Sequence, residues 1–197
     1  MRPRNGPTME PAADSPGTFA RAHAYVARRV AGALGEIPPA TIARAVRLLT
    51  DSPATFVYGA GRSGIIGRAF AMRLTQAGLR AYVIGESVTP IVRKGDVVVI
   101  LSGAGESYSS IQTANIVRRE GAELIVLTAR PGSKIAHAAS LLVPFRFPED
   151  EERPLLAPLG TLFEASALAL TDALIAEILR SRGESEESMR QRHAIMV

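Results

Sequence analysis

The sequence has no cysteine. A disulfide framework, a thiolate zinc centre and a cysteine nucleophile are therefore all excluded. Histidine is nearly as scarce, with only His23, His137 and His193. A histidine-rich metal site is hard to build from three residues, and no metal is expected. There is no tryptophan, and four Tyr and six Phe supply few platforms for stacking nucleic-acid bases. Lysine is confined to Lys94 and Lys134, so arginine carries most of the 23 basic charges against 19 acidic ones. The arginines are scattered; Arg28-Arg29 and Arg118-Arg119 are the only adjacent pairs. The net charge of +4 thus argues for an anionic small substrate rather than a nucleic-acid partner. Long apolar runs are missing too. Val97–Leu101 has strand length, far short of the roughly 20 residues a spanning helix needs, so no membrane partner is expected. The proline-rich start lacks the apolar stretch of an export signal. It reads as a disordered leader over residues 1–17, on a chain that stays in the cytoplasm.

What is present is an ordinary globular composition, 47% apolar and 21% charged over 197 residues. That length suits one compact domain with a sizeable core, expected over residues 18–197. Helical spacing covers Thr18–Leu34 and Ala40–Leu49, the second opened by Pro38-Pro39. Strands then alternate with helices. The expected strands are Thr55–Tyr58, Arg80–Ile84, Asp96–Leu101, Glu123–Thr128 and Leu141–Val143. The helices between and after them are Ile65–Ala77, Tyr108–Glu120, Lys134–Ala139, Thr161–Ser181 and Glu186–Arg192. Glu86–Lys94 reads as a short irregular or helical crossover, and Glu149–Glu152 as a solvated acidic loop. Continuous apolar strands joined through helices imply a parallel sheet covered on both faces. The expected fold is therefore α/β: a three-layer doubly wound sandwich on five parallel strands, in flavodoxin-like order, with extra N-terminal helices. Such sheets bind ligands beyond the carboxyl ends of their strands.

Two glycine loops fall at those ends. Gly59-Ala60-Gly61-Arg62-Ser63-Gly64 fits G-x-G-x-x-G between a strand and a helix. Glycines there let backbone N–H groups approach an anion, and the helix dipole favours it. Glu86 stands near the position of the ribose-binding acid of nicotinamide enzymes, which keeps an oxidoreductase open; a tight turn that binds nothing also fits. Ser102-Gly103-Ala104-Gly105-Glu106-Ser107 is the second loop. Its hydroxyls and N–H groups suit a phosphate monoester, although Ser107 reads equally as the cap of the next helix. Glu106 is expected to order this loop.

At these residues the chain resembles the SIS (sugar isomerase) family, from about Val26 to the C-terminus. Val57–Gly64, Arg68–Leu74 and Ser102–Ser107 carry the family resemblance. Ala157-Pro158-Leu159-Gly160-Thr161-Leu162-Phe163-Glu164 and Arg192-His193-Ala194 are closest to the 6-phospho-3-hexuloisomerase branch. The second loop departs from the usual Ser-Gly-Ser-Gly-Glu-Thr: Ala104 removes one hydroxyl and Ser107 replaces threonine. The resemblance implies interconversion of D-arabino-hex-3-ulose 6-phosphate and D-fructose 6-phosphate through a cis-enediol, without cofactor, in the ribulose monophosphate route. It equally admits an arabinose 5-phosphate or sedoheptulose 7-phosphate isomerase, or a non-catalytic phosphosugar sensor. It implies Glu164 as the base, with Thr161-x-x-Glu164 as a capping box for the alternative. It implies His193 as a proton shuttle or substrate ligand in a neighbouring subunit's site. Gly61, Arg62, Ser63, Ser102, Gly103 and Ser107 would hold phosphate and sugar; for Arg62 an ion pair elsewhere is the equal alternative. His23 and His137 read as ordinary. The N-terminal helices are expected to build subunit contacts, giving a homotetramer.

Overall fold

The computed structural model describes residues 17–194. The leader expected over residues 1–17 lies outside the described residues, apart from Gly17. Two helices, α1 (Thr18–Gly35) and α2 (Pro39–Asp51), precede the first strand. The alternating part then runs β1 (Thr55–Gly59), α3 (Arg62–Gln76), β2 (Ala81–Val83), β3 (Val97–Leu101), α4 (Tyr108–Glu120), β4 (Glu123–Thr128), α5 (Lys134–Ala138) and β5 (Leu141–Pro144). A one-turn α6 (Arg153–Leu156), the long α7 (Thr161–Arg182) and α8 (Glu186–Gln191) complete the described chain.

The sheet is parallel throughout, in the order β2-β1-β3-β4-β5. Its pleat sorts the apolar runs onto two faces. Val97, Val99 and Leu101 of β3 join a core with α2, α3 and α7, while Val98 and Ile100 face a second core with α4 and α5. Every β3 residue is buried. Each such side chain contributes about 1.5–3 kcal/mol of burial, which is why this central strand tolerates no polar position. The strand order reverses between β1 and β3. Open α/β sheets bind ligands at the carboxyl edge of such a switch point, and the two glycine loops follow its two strands.

One sequence expectation needs correction. α3 begins at Arg62 rather than Ile65, because Gly61 and not Gly64 makes the turn. Glu86–Lys94 takes the irregular of the two forms open to it, with turns and no helix. The acidic stretch is an exposed loop, as expected, but it is tied down. Asp150 accepts from the Tyr25 hydroxyl at 2.8 Å and from the backbone N–H groups of Glu152 and Arg153, and it lies 3.3 Å from Arg29. Arg21 pairs with Glu152 at 2.9 Å. The loop is thus latched onto α1, and the short α6 that it starts was not foreseen.

Candidate active site

Each glycine of the first loop answers a separate requirement. Gly61 has φ +57°, a region disfavoured for residues with a Cβ. Gly59 and Gly64 lie so close that a Cβ on Gly59 would sit 2.8 Å from the backbone of Ser63 and Gly64. This tight bend brings the first turn of α3 against the end of β1. The N–H groups of Gly64 and Ile65 bond back to the Gly61 carbonyl. Those of Arg62 and Ser63, ahead of them at the helix N-terminus, point outward as donors that a helix leaves unsatisfied.

The second loop is held from behind. Ser102 is buried, and its Oγ accepts the Gly105 N–H at 3.2 Å, which keeps the hydroxyl proton available to donate. The Thr128 hydroxyl donates to the Gly103 carbonyl at 3.3 Å and accepts from the Arg130 N–H at 3.1 Å. Gly105, at φ +67°, packs directly on the buried Ser133 side chain, whose Oγ has no hydrogen-bond partner among the described residues. Ser107 is an N-cap: its Oγ accepts the Ser110 N–H at 3.3 Å and its hydroxyl donates to Ser110 Oγ at 2.5 Å. The capping alternative for Ser107 is thus what the structure contains. Thr128 and Ser133 had no motif to flag them; only the fold places them behind the loop.

The start of α7 completes the arrangement. Gly103 lies against the Phe163 ring, since a Cβ on Gly103 would be 3.1 Å from it. The next residue, Glu164, is buried, and Arg62 Nη1 stands 3.0 Å from its Oε2. The angle does not suit a hydrogen bond, so that buried oxygen has no aligned donor among the described residues. The capping box does not form. Gly160 is the N-cap, and the Thr161 hydroxyl instead donates to the Pro158 carbonyl at 2.6 Å. The start of α7 therefore touches both loops, Glu164 through Arg62 and Phe163 through Gly103. The ion-pair partner of Arg62 is this carboxylate, within the site rather than elsewhere.

His193 does not join them within one chain. Arg192 beside it bonds the Glu184 carboxylate at 2.9 Å and the Gln76 carbonyl at 3.2 Å, at the far end of α3. A 15-residue helix puts that end about 20 Å from Arg62. His193 is exposed there. His137 is structural, its Nδ1–H bonding the Ser133 carbonyl at 2.8 Å. Glu86 pairs with Arg68 across an exposed rim at 3.0 Å. No group of His, Asp and Glu able to hold a metal ion occurs among the described residues.

A parallel sheet with paired glycine bends at its switch point, and a buried carboxylate beside the first of them, defines an open α/β protein with a ligand crevice at the carboxyl edge. The profile of the SIS domain matches residues 48–176. The chain belongs to the SIS domain family. It is 37% identical to a 3-hexulose-6-phosphate isomerase of Methylomonas aminofaciens, over 71% of this chain and 78% of that one. A 3-hexulose-6-phosphate isomerase of Bacillus subtilis is 36% identical, over 74% and 81%. Among solved structures, a Methanococcus jannaschii protein, for which that same isomerase function has been inferred, superposes with a TM-score of 0.74 and 29% identity, covering 80% of this chain and 86% of its own.

Proposed function

We propose that this chain is a cofactor-independent sugar phosphate isomerase that interconverts D-arabino-hex-3-ulose 6-phosphate and D-fructose 6-phosphate. The observation that carries this reading is the buried Glu164 carboxylate, beside Arg62 of the first glycine bend, with one oxygen free of any aligned donor. Relatives at 36–37% identity that are named as this isomerase support the choice of reaction.

The esterified end of the sugar is held by the outward N–H groups of Arg62 and Ser63, the Ser63 and Ser102 hydroxyls and the start of α4. Gly61 and Gly103 let the backbone come close, and Ser107 keeps the turn of α4 in shape. From the 3-ulose, the Glu164 carboxylate takes the C2 proton. The C2–H electrons form the C2=C3 bond, and the C3 carbonyl oxygen gains a proton to complete the enediol. The O2–H proton then leaves as the C2 carbonyl forms, and Glu164 returns its proton to C3. Electrons are only redistributed within the substrate, so the step needs no external redox partner. Arg62, 64% exposed in its side chain, swings from Oε2 to the incoming anion and uncovers the base. His193 of a neighbouring subunit carries the proton between O3 and O2, within a homotetramer. The reading places the chain in the cytoplasm, in the ribulose monophosphate route, as a single isomerase domain over residues 18–197.

The test is a coupled assay in which the protein is given the 3-ulose 6-phosphate and fructose 6-phosphate is measured. Glu164→Gln is expected to lower kcat by about 10²- to 10⁴-fold, the usual contribution of a general base. Turnover in D₂O is expected to place deuterium at C3 of the fructose 6-phosphate. Full activity in Glu164→Gln overturns the base assignment. Faster turnover of arabinose 5-phosphate or sedoheptulose 7-phosphate overturns the substrate.

A further inference from the structure

Gly160 has no obvious reason to be glycine. Its φ of −85° and ψ of 5° are open to any L-residue. It is also the N-cap of α7, where serine, threonine or aspartate would hydrogen-bond the first turn, and α7 has no side-chain cap at all. The position therefore gives up a capping bond without needing glycine's backbone freedom. What it gains is space. A Cβ on Gly160 would lie 3.0 Å from Glu164 Oε1, 3.1 Å from Cδ and 3.3 Å from Oε2. All three nearest atoms belong to one carboxylate. The Glu164 side chain folds back along its own helix, as helical side chains lean toward the N-terminus, and its carboxyl rests on the bare Cα of Gly160.

We propose that Gly160 is the positioning residue for the Glu164 carboxylate. Its missing side chain forms a recess that receives the carboxyl from below, while Arg62 meets Oε2 from the other side. Held in that recess, the carboxylate stays at the first turn of α7, beside Arg62. This inference rests on the reading of Glu164 as the base. An alanine here leaves the backbone unstrained and pushes on nothing but the reacting group. The carboxyl must give way by a few tenths of an ångström, a fraction of the roughly 1 Å misplacement that costs on the order of 10²-fold in rate.

Four variants separate the possibilities: Gly160→Ala, Glu164→Gln, Glu164→Asp and the double Gly160→Ala/Glu164→Asp. Gly160→Ala is expected to keep the melting temperature and KM close to the parent values while kcat falls about 3- to 10-fold. Aspartate withdraws the carboxyl by one methylene, out of reach of the new Cβ. Adding Gly160→Ala to Glu164→Asp is therefore expected to cost less than about twofold, a failure of additivity that marks direct contact. Parental kcat in Gly160→Ala, with Glu164→Gln inactive, overturns this inference and leaves the base assignment standing. An active Glu164→Gln removes the base assignment itself. A Gly160→Ala that lowers kcat equally in both backgrounds, or raises KM instead, assigns Gly160 to the substrate or the helix start and overturns the proposal.

Discussion

At the scale of single residues, hydroxyls that look alike in sequence do different work. Ser107 and Ser102 both flank the second glycine loop, yet Ser107 is tied to Ser110 at both its oxygen and its proton. Ser102 only accepts, from the Gly105 N–H. Ser107→Ala is expected to cost about 1 kcal/mol through loss of the α4 cap, seen as a lower urea midpoint. The sequence left Ser107 open between cap and phosphate ligand because both roles select a hydroxyl before a helix. It left Glu164 open for the same kind of reason: Thr-x-x-Glu is a capping pattern, and only the turn of the Thr161 hydroxyl to Pro158 removes that role. The contact between Gly160 and Glu164 had no counterpart in the sequence. Four residues of spacing put the two on one helix face, but do not show a carboxyl resting on a bare Cα.

At the scale of elements, the strands could be read closely and the connections could not. β4 falls where its apolar run ends, at Glu123–Thr128, and α4 ends at Gly121, whose φ of 72° stops the helix. Periodicity and glycine punctuation are local properties, so one sequence suffices for them. The tying-down of the Glu149–Glu152 loop escaped because its partners are on α1, more than a hundred residues away. Its charge there gives a pH-dependent latch. The Tyr25 hydroxyl bond, together with Arg29 and two backbone N–H groups, holds the Asp150 carboxyl below the usual carboxylate range. Burial, and then the bond to Asp150, pushes the Tyr25 phenol above its usual value. A lowered carboxylate pKa contributes stability above the unfolded value, near pH 4, and loses it as pH falls through the native value. The raised phenol pKa contributes below about pH 10 and is lost as pH rises beyond it. Asp150→Asn is therefore expected to lower the melting temperature at pH 7 but to flatten its fall between pH 5 and 3, measured by a thermal scan at each pH. An acid limb as steep as that of the parent would remove Asp150 as its source.

At the scale of the whole molecule, the single chain presents half of the proposed chemistry at each end. Glu164 sits at the carboxyl edge of the sheet, while α7 carries the chain over 22 residues to α8 and His193 at the opposite end. A helix of that length spans about 33 Å, so no side-chain motion joins the two within one subunit. Part of α1 remains uncovered, with Phe19 86% exposed, which suits the subunit contacts proposed for the N-terminal helices even though Tyr25 and Ala33 are already buried against the rest of the chain. If a neighbour supplies His193, the two functions reside on different chains and complement. Glu164→Gln and His193→Ala proteins should each be nearly inactive alone. Unfolded, mixed in equal amounts and refolded together, they form hybrid pairs in which one site of two has both groups intact. Random pairing then restores about a quarter of the parental activity, as expected for two-fold sites shared across an interface. A mixture no more active than its components places His193 outside the reaction. In that case the proton exchange between O2 and O3 must fall to a group on the same chain as Glu164, and Arg62 with the loop hydroxyls stands nearest to that task.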